Sequence, residues 1–236
     1  MKNLYLNKLQ YMKLVFNFTL VLCLFIFAQA VSSKEFLKNY NVSTKGIKIG
    51  ELVWKLTENQ NRYEIKISLK SKGLLSSVYK FSGEYLSFGK IENNIFVPDR
   101  YSHTWATKNK VKNMLIIFSN NKIHSITQKP EEKEVSRVNI EDLINYFDPL
   151  TSFVNIFNNI KSSNTIDGRR IYKMVVKKNL DNPKTKTITI NDYKNIYADH
   201  KRNDLEKITF SKQDGFVLPD LILIYFKGSV FKIYEN

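Results

Sequence analysis

The chain has 236 residues, 43% hydrophobic, 25% charged and 13% aromatic, with a formal net charge of +15. Such a mixture is globular rather than disordered, and the length suits one domain able to bury a sizeable core. The positive balance raises the question of nucleic acid, but the lysines are scattered and no stretch forms a dense basic stripe. With export also expected, no nucleic-acid partner is expected; the charge suits solubility and peripheral contact with an anionic membrane surface.

The first thirty residues read as a secretory signal. Lys2, Lys8 and Lys13 supply a positive start, residues 14–28 are apolar apart from Asn17 and Thr19, and Ala28-Gln29-Ala30 offers a cleavage site. The apolar run is shorter than the roughly 20 residues a membrane span requires, which disfavours an uncleaved N-terminal anchor. Met12 is an alternative start, because Met12-Lys13-Leu14 opens a signal of ordinary proportions. Cys23 follows the bulky Leu22 and precedes further apolar residues, so it makes a weak lipoprotein site. The expected organisation is a signal peptide at 1–30 and a single β-rich periplasmic domain at 31–236. Cleavage leaves 34 basic residues against 22 acidic ones, a net charge of +12, and no cysteine, which excludes a disulfide framework or thiol nucleophile.

Strand periodicity opens the mature chain. Residues 46–55 place Ile47, Ile49 and Glu51 on one face and Leu52 and Trp54 on the other. A polar hairpin at 57–61 follows. Tyr63, Ile65, Ile67 and Leu69 then alternate strictly with Glu64, Lys66, Ser68 and Lys70, as in an antiparallel sheet wet on one side. Tyr79, Phe81, Gly83 and Tyr85 share a face, and a strand from Phe96 runs through Tyr101, His103 and Trp105. Turns at 108–110 and 119–121 separate strands at 111–118 and 123–127. Such spacing predicts a meander that curls into a strongly curved antiparallel sheet or open β-barrel.

The rhythm breaks after the charged loop at 130–137. Residues 140–147 read as a short helix. Asp148-Pro149 is an N-cap with proline at the first helical position, and Leu150, Phe153, Val154, Phe157 and Ile160 recur at helical spacing. Ser162-Ser163-Asn164 reads as the end of that helix, and Asp167-Gly168 turns into a strand at 171–176. Further strands are expected at 185–190, 195–201, 205–210, 221–225 and 231–234. The fold class is therefore mainly β, with one or two helices packed on the sheet.

Several of these residues, in order, form a pattern. They are Gly46-Ile47, Ile49-Gly50-Glu51, the Tyr63 strand, Gly73-Leu74 to Tyr79-Lys80, Pro98, Arg100-Tyr101 and Phe118. Asp148-Pro149-Leu150-Thr151-Ser152, Asp167-Gly168, Tyr172, Gly215 and Leu218-Pro219 follow. The chain resembles the exported bacterial proteins of the domain-of-unknown-function 3108 family over roughly residues 37–234. That resemblance implies a Gram-negative periplasmic location, a curved antiparallel sheet with helical cover, and likeness to the LolA and LolB lipoprotein carriers, whose half-barrels hold acyl chains. It carries no catalytic residue with it.

The residues themselves offer little chemistry. His103 shares a strand face with Tyr101 and Trp105, His124 sits among apolar neighbours, and His200 adjoins Asp199. Adjacent strand residues point to opposite faces, so Asp199 is badly placed to orient His200. There is no G-x-S-x-G elbow or S-x-x-K and no glycine-rich phosphate loop. The carboxylates Glu131, Glu132, Asp192 and Asp199 read as solvated charges. No metal, cofactor or catalytic residue is expected, and the protein is not expected to be an enzyme. The curved sheet is expected to present Ile65, Ile67, Leu69, Tyr79, Phe81, Tyr85 and Trp105, covered by Phe153 and Phe157, as an apolar pocket or as filled core. The leading expectation is a non-enzymatic periplasmic protein that binds or carries a lipid-like ligand or a lipid-modified partner. Behind it stand an interaction domain supporting envelope assembly through strand addition, and a hydrolase of unusual design around His103 or His200.

Overall fold

Alternating side chains and short asparagine-rich turns build nearly the whole of the computed structural model, which describes residues 33–73, 76–77, 80–178, 184–197, 204–211 and 217–236. The expected signal peptide, Tyr79, the Asp199-His200 pair and Gly215 lie outside the described residues. The strands are β1 (Ser33–Thr44), β2 (Ile47–Asn59), β3 (Arg62–Ser71), β4 (Phe81–Glu92), β5 (Ile95–Thr107), β6 (Val111–Ser119) and β7 (Lys122–Lys129). They continue with β8 (Tyr146–Phe147), β9 (Ser162–Ile166), β10 (Arg170–Lys178), β11 (Thr185–Asn195), β12 (Leu205–Ser211), β13 (Leu221–Phe226) and β14 (Ser229–Glu235). Among the described residues one α-helix, α1 (Pro149–Phe157), interrupts them.

All belong to one sheet, ordered β7-β6-β5-β4-β3-β2-β1-β14-β13-β12-β11-β10-β9-β8. The sheet curls into a nearly closed barrel. Hairpin turns are tight because asparagines enter the left-handed region, with Asn93, Asn94, Asn120 and Asn121 at φ of 51–64°, a conformation asparagine tolerates better than most residues. The ends of the sheet meet at the Lys122–Ile144 bridge and through side chains. Tyr101, Met114 and Ile116 from β5 and β6 pack with Ile166 and Ile171 from β9 and β10.

Alternation fixes the inward face. Across β2 to β6 the register aligns Trp54, Ile67, Tyr85, His103 and Met114, and beside that row Leu56, Ile65, Ser87, Tyr101 and Ile116. β1, unread in the sequence, contributes Tyr40 and Val42 to the core, with Lys38 buried on the same face. Lys38 Nζ lies 2.8 Å from both Asp220 Oδ1 and Glu235 Oε2, carboxylates that arrive from the far end of the chain.

α1 packs on the concave face and is buried all round, residues Thr151 to Phe157 without a break. Phe153 meets Trp54 of β2 and Phe210 of β12, at ring centroids of 5.5 and 5.3 Å. A stripe of apolar residues was expected to face the sheet; the opposite side is enclosed as well. Its polar residues are short and satisfied by the sheet: Ser163 and Thr165 hydroxyls donate to Ser152 Oγ at 2.9 and 2.8 Å. Asn155 donates to the Phe96 carbonyl and accepts from the Phe96 N–H, both at 2.8 Å.

Three local expectations are corrected. Residues 140–147 hold a 3-10 turn, Ile140–Asp142, capped by Asn139 and ended by the extended Leu143; Asn145 at φ 58° then turns the chain into β8. The helix stops at Phe157, since Asn159 at φ 78° turns the chain before Ile160, and Ser162-Ser163-Asn164 belongs to β9. β11 runs to Asn195 as one strand, and Ile196 and Tyr197 form a bend where a strand at 195–201 was expected; the rest of that stretch lies outside the described residues.

Candidate functional site

The internal helix divides the barrel. Its Asn155 reaches the start of β5, whereas its first residue, Pro149, faces the end where β5 finishes, β6 and β10 begin and β13 turns into β14. At that end lies a cleft of about 740 Å3 floored by Pro149. Ring side chains form much of its wall: Tyr85, Tyr101, His103, Trp105, Tyr172 and Phe226. Trp105 lies stacked on Phe81 at 5.2 Å and 13°. The opposite residue, Gly83, makes this possible: a Cβ there would sit 3.1 Å from the indole and 2.9 Å from the Tyr85 ring.

Charged side chains share the lining. Lys112 and Arg170 hold inward positions at the mouth ends of strands that otherwise turn Met114, Ile116 and Phe118, or Tyr172 and Met174, toward the core. Arg170 Nε lies 2.8 Å from Asp167 Oδ2, and Asp167 Oδ1 also accepts the backbone N–H groups of Arg169 and Arg170 at 2.9 and 2.8 Å. Arg169 Nη2 pairs with Glu132 Oε2 at 2.6 Å, so Glu132 is engaged and not a solvated charge. Lys227 Nζ is 3.5 Å from Asp204 Oδ2 at the rim.

His103 sits within this wall, its Nδ1 3.2 Å from the Tyr101 hydroxyl and its ring 5.6 Å from Tyr85. Burial pushes the imidazole below its ordinary value; Asp167 opposes this, and Arg170 and Lys112 reinforce it. His103 is thus neutral at physiological pH. Burial raises the Tyr85 hydroxyl to about 12 and Tyr101 well above the usual phenol, so both stay protonated. His124 is exposed on β7, away from the cleft lining. Among the described residues, no three His, Cys, Asp or Glu side chains gather to hold a metal ion.

Beneath the floor lies a buried polar cluster around the helix cap. Asp148 Oδ1 accepts the Leu150 and Thr151 N–H groups at 2.9 and 3.0 Å. Oδ2 accepts the hydroxyls of Ser87 and Thr151 at 2.8 and 2.6 Å. Tyr63 closes the cluster through a 2.7 Å bond with Thr151. Every partner is inside the barrel, and the cluster holds the helix start at a fixed depth.

The residues expected to line a ligand pocket separate into three places. Tyr85 and Trp105 line the cleft, with Phe81 stacked behind Trp105. Ile65, Phe153 and Phe157 lie in the packed core around α1, and Ile67 and Leu69 pack against its edge. Tyr79 lies outside the described residues. The sequence reading did not find Lys112, Arg170 or Asp167. The signal available was a lysine and an arginine in phase with apolar inward positions, Lys112 with Met114 and Arg170 with Tyr172.

The architecture has a solved counterpart. The crystal structure of a β-barrel-like protein of domain of unknown function DUF1849 from Brucella abortus is similar at a TM-score of 0.56, covering 88% of this chain and 98% of that one at 11% identity. At that identity the likeness concerns the fold alone. No curated protein matches the chain. The expected pattern runs on to Gly215 and Leu218-Pro219, beyond the segment that matches: residues 39–207 match "Protein of unknown function (DUF3108)", and the chain belongs to that family.

Proposed function

We propose that this is a non-enzymatic binding protein of the bacterial cell envelope, exported by its N-terminal signal, which holds a lipid-like ligand or the lipid-modified end of a partner in the mouth of the barrel. The cleft carries the reading: about 740 Å3 is within the usual range of roughly 300–1,000 Å3 for ligand sites. Its rings offer apolar area at small entropy cost, and its few charged groups can fix orientation. Around α1 the described interior is packed with Ile65, Phe153, Phe157 and their neighbours. A second cleft of about 620 Å3 opens beside the helix's C-terminal end at Ile156, Ile160 and Val176, but no ring side chain lines it among the described residues, so the mouth is the better ligand site. A LolA- or LolB-like carrier role belongs to the same proposal. The absence of catalysis is supported by His103, whose hydrogen bond goes to a phenol that burial keeps protonated and which is therefore not an activated nucleophile.

Native mass spectrometry with lipid extraction, on protein purified gently from its own periplasm, tests this reading. A lipid-like mass at near-unit stoichiometry, lost in Trp105→Ala, is the expected result. A clean protein mass that takes up nothing from added lipid overturns it. Fractionation with N-terminal sequencing tests export separately, with a mature chain starting after Ala30 in the periplasmic fraction as the expected outcome.

A further inference from the structure

We infer that the mouth cleft selects a single-chain amphiphile whose head is an anionic phosphate or carboxylate; the inference rests on the binding reading above and names the ligand's chemistry. Among the described residues the lining carries four cations, Lys112, Arg169, Arg170 and Lys227, against two carboxylates, Asp167 and Asp204, with Glu132 paired to Arg169 as a third. Turning a charge inward on a barrel strand carries a desolvation cost, and a core position would hold another Met or Tyr more cheaply. The ion pairs do not exhaust the two guanidiniums. A guanidinium has five N–H donors in a planar fork. The Glu132 pair occupies Nη2 of Arg169, and the buried Nε atoms of Arg169 and Arg170 have no hydrogen-bond partner among the described residues, although Asp167 lies 2.8 Å from the latter. Arg169 and Arg170 are adjacent in sequence, and the cleft brings Lys112 from β6 and Lys227 from the β13–β14 turn to the same lining.

The other half of the ligand follows from the opposite wall. Trp105, Tyr85 and Phe226 give ring surface for a chain, and Phe81 behind Trp105 holds the indole in place. The packed floor at Pro149 limits depth. A cleft of this size takes a head and one chain, not both chains of a whole phospholipid.

The test is isothermal titration of the mature protein, below micelle-forming concentrations, with four probes. Three share one short acyl chain: a lysophosphatidic acid, the fatty acid and the uncharged monoacylglycerol. Inorganic phosphate is the fourth. The two anionic amphiphiles are expected to bind about tenfold or more tightly than the neutral one, the factor that charge-assisted hydrogen bonds supply. Arg170→Gln, with Lys227→Gln as a rim variant that leaves the Asp167 pair intact, is expected to remove most of that preference, read as the ratio of anionic to neutral affinity in the same variant. Equal binding of charged and neutral probes overturns the inference and leaves the binding reading standing. Inorganic phosphate binding as tightly as the anionic amphiphiles overturns the amphiphile part and assigns a small-anion site. Failure of every probe overturns both.

Discussion

Asn155 is the residue on which the seating of the internal helix can be tested with a number. Its carboxamide is 1% exposed and meets both backbone groups of Phe96, donating to the carbonyl and accepting from the N–H. Asn155→Ala leaves two buried main-chain groups without partners. Each costs about 1–3 kcal/mol, so the variant should lose about 2–6 kcal/mol. With a urea m-value of about 2–3 kcal/mol/M for a chain of this size, the unfolding midpoint should fall by about 1–2 M. Tryptophan fluorescence is the right probe because Trp54 packs on Phe153 of the same helix, and far-UV circular dichroism run in parallel follows the sheet. Asn155→Asp keeps the acceptor for the N–H but turns a carboxylate toward the Phe96 carbonyl, so it should be worse than alanine at neutral pH and recover on acidification. A midpoint for Asn155→Ala within about 0.2 M of wild type, a few tenths of a kcal/mol at that m-value, would refute the argument that this side chain anchors the plug.

Other outcomes follow from the same structure. Burial raises the Asp148 carboxyl above the ordinary carboxylate range, so its contribution to stability is full below the unfolded chain's value and is lost as pH rises through the folded one. Asp148→Asn should flatten that part of the pH profile of urea midpoints, and a variant profile parallel to wild type would contradict this. Lys38→Met removes the partner of Asp220 and Glu235 but leaves the half-exposed Glu235 to solvent, so its cost should be about 1–3 kcal/mol by chemical unfolding, below the 3–5 typical of fully buried pairs. Gly89→Ala should be more damaging than its size suggests, because a Cβ there would overlap the Val97 carbonyl oxygen; the expected cost is about 3 kcal/mol or more, read as a lowered melting temperature. Trp105→Ala should lose ligand without losing the fold, seen as an unchanged far-UV spectrum beside a clean native mass.

Much of the barrel is legible one strand at a time, because side chains alternate and water sorts them. Tyr63, Ile65, Ile67 and Leu69 show the rule without interference, and Tyr85 and Trp105 can be placed on the concave face in this way. β1 escapes it because Lys38 stands where an apolar residue would complete the pattern, and the carboxylates that neutralise it lie at positions 220 and 235. The helix cap at Asp148-Pro149 is equally readable. Its full burial is hinted at only by the lack of any charged side chain along α1, whose Thr151, Ser152 and Asn155 are short enough to be satisfied within a barrel. The cleft is different in kind. Lys112, Arg170, Asp204 and Phe226 are far apart along the chain, and no local pattern links them. Local sequence sets the alternation of each strand through its own hydration. Which mouth-end residues meet is decided only when the sheet closes, because closure is set by register and packing between distant strands.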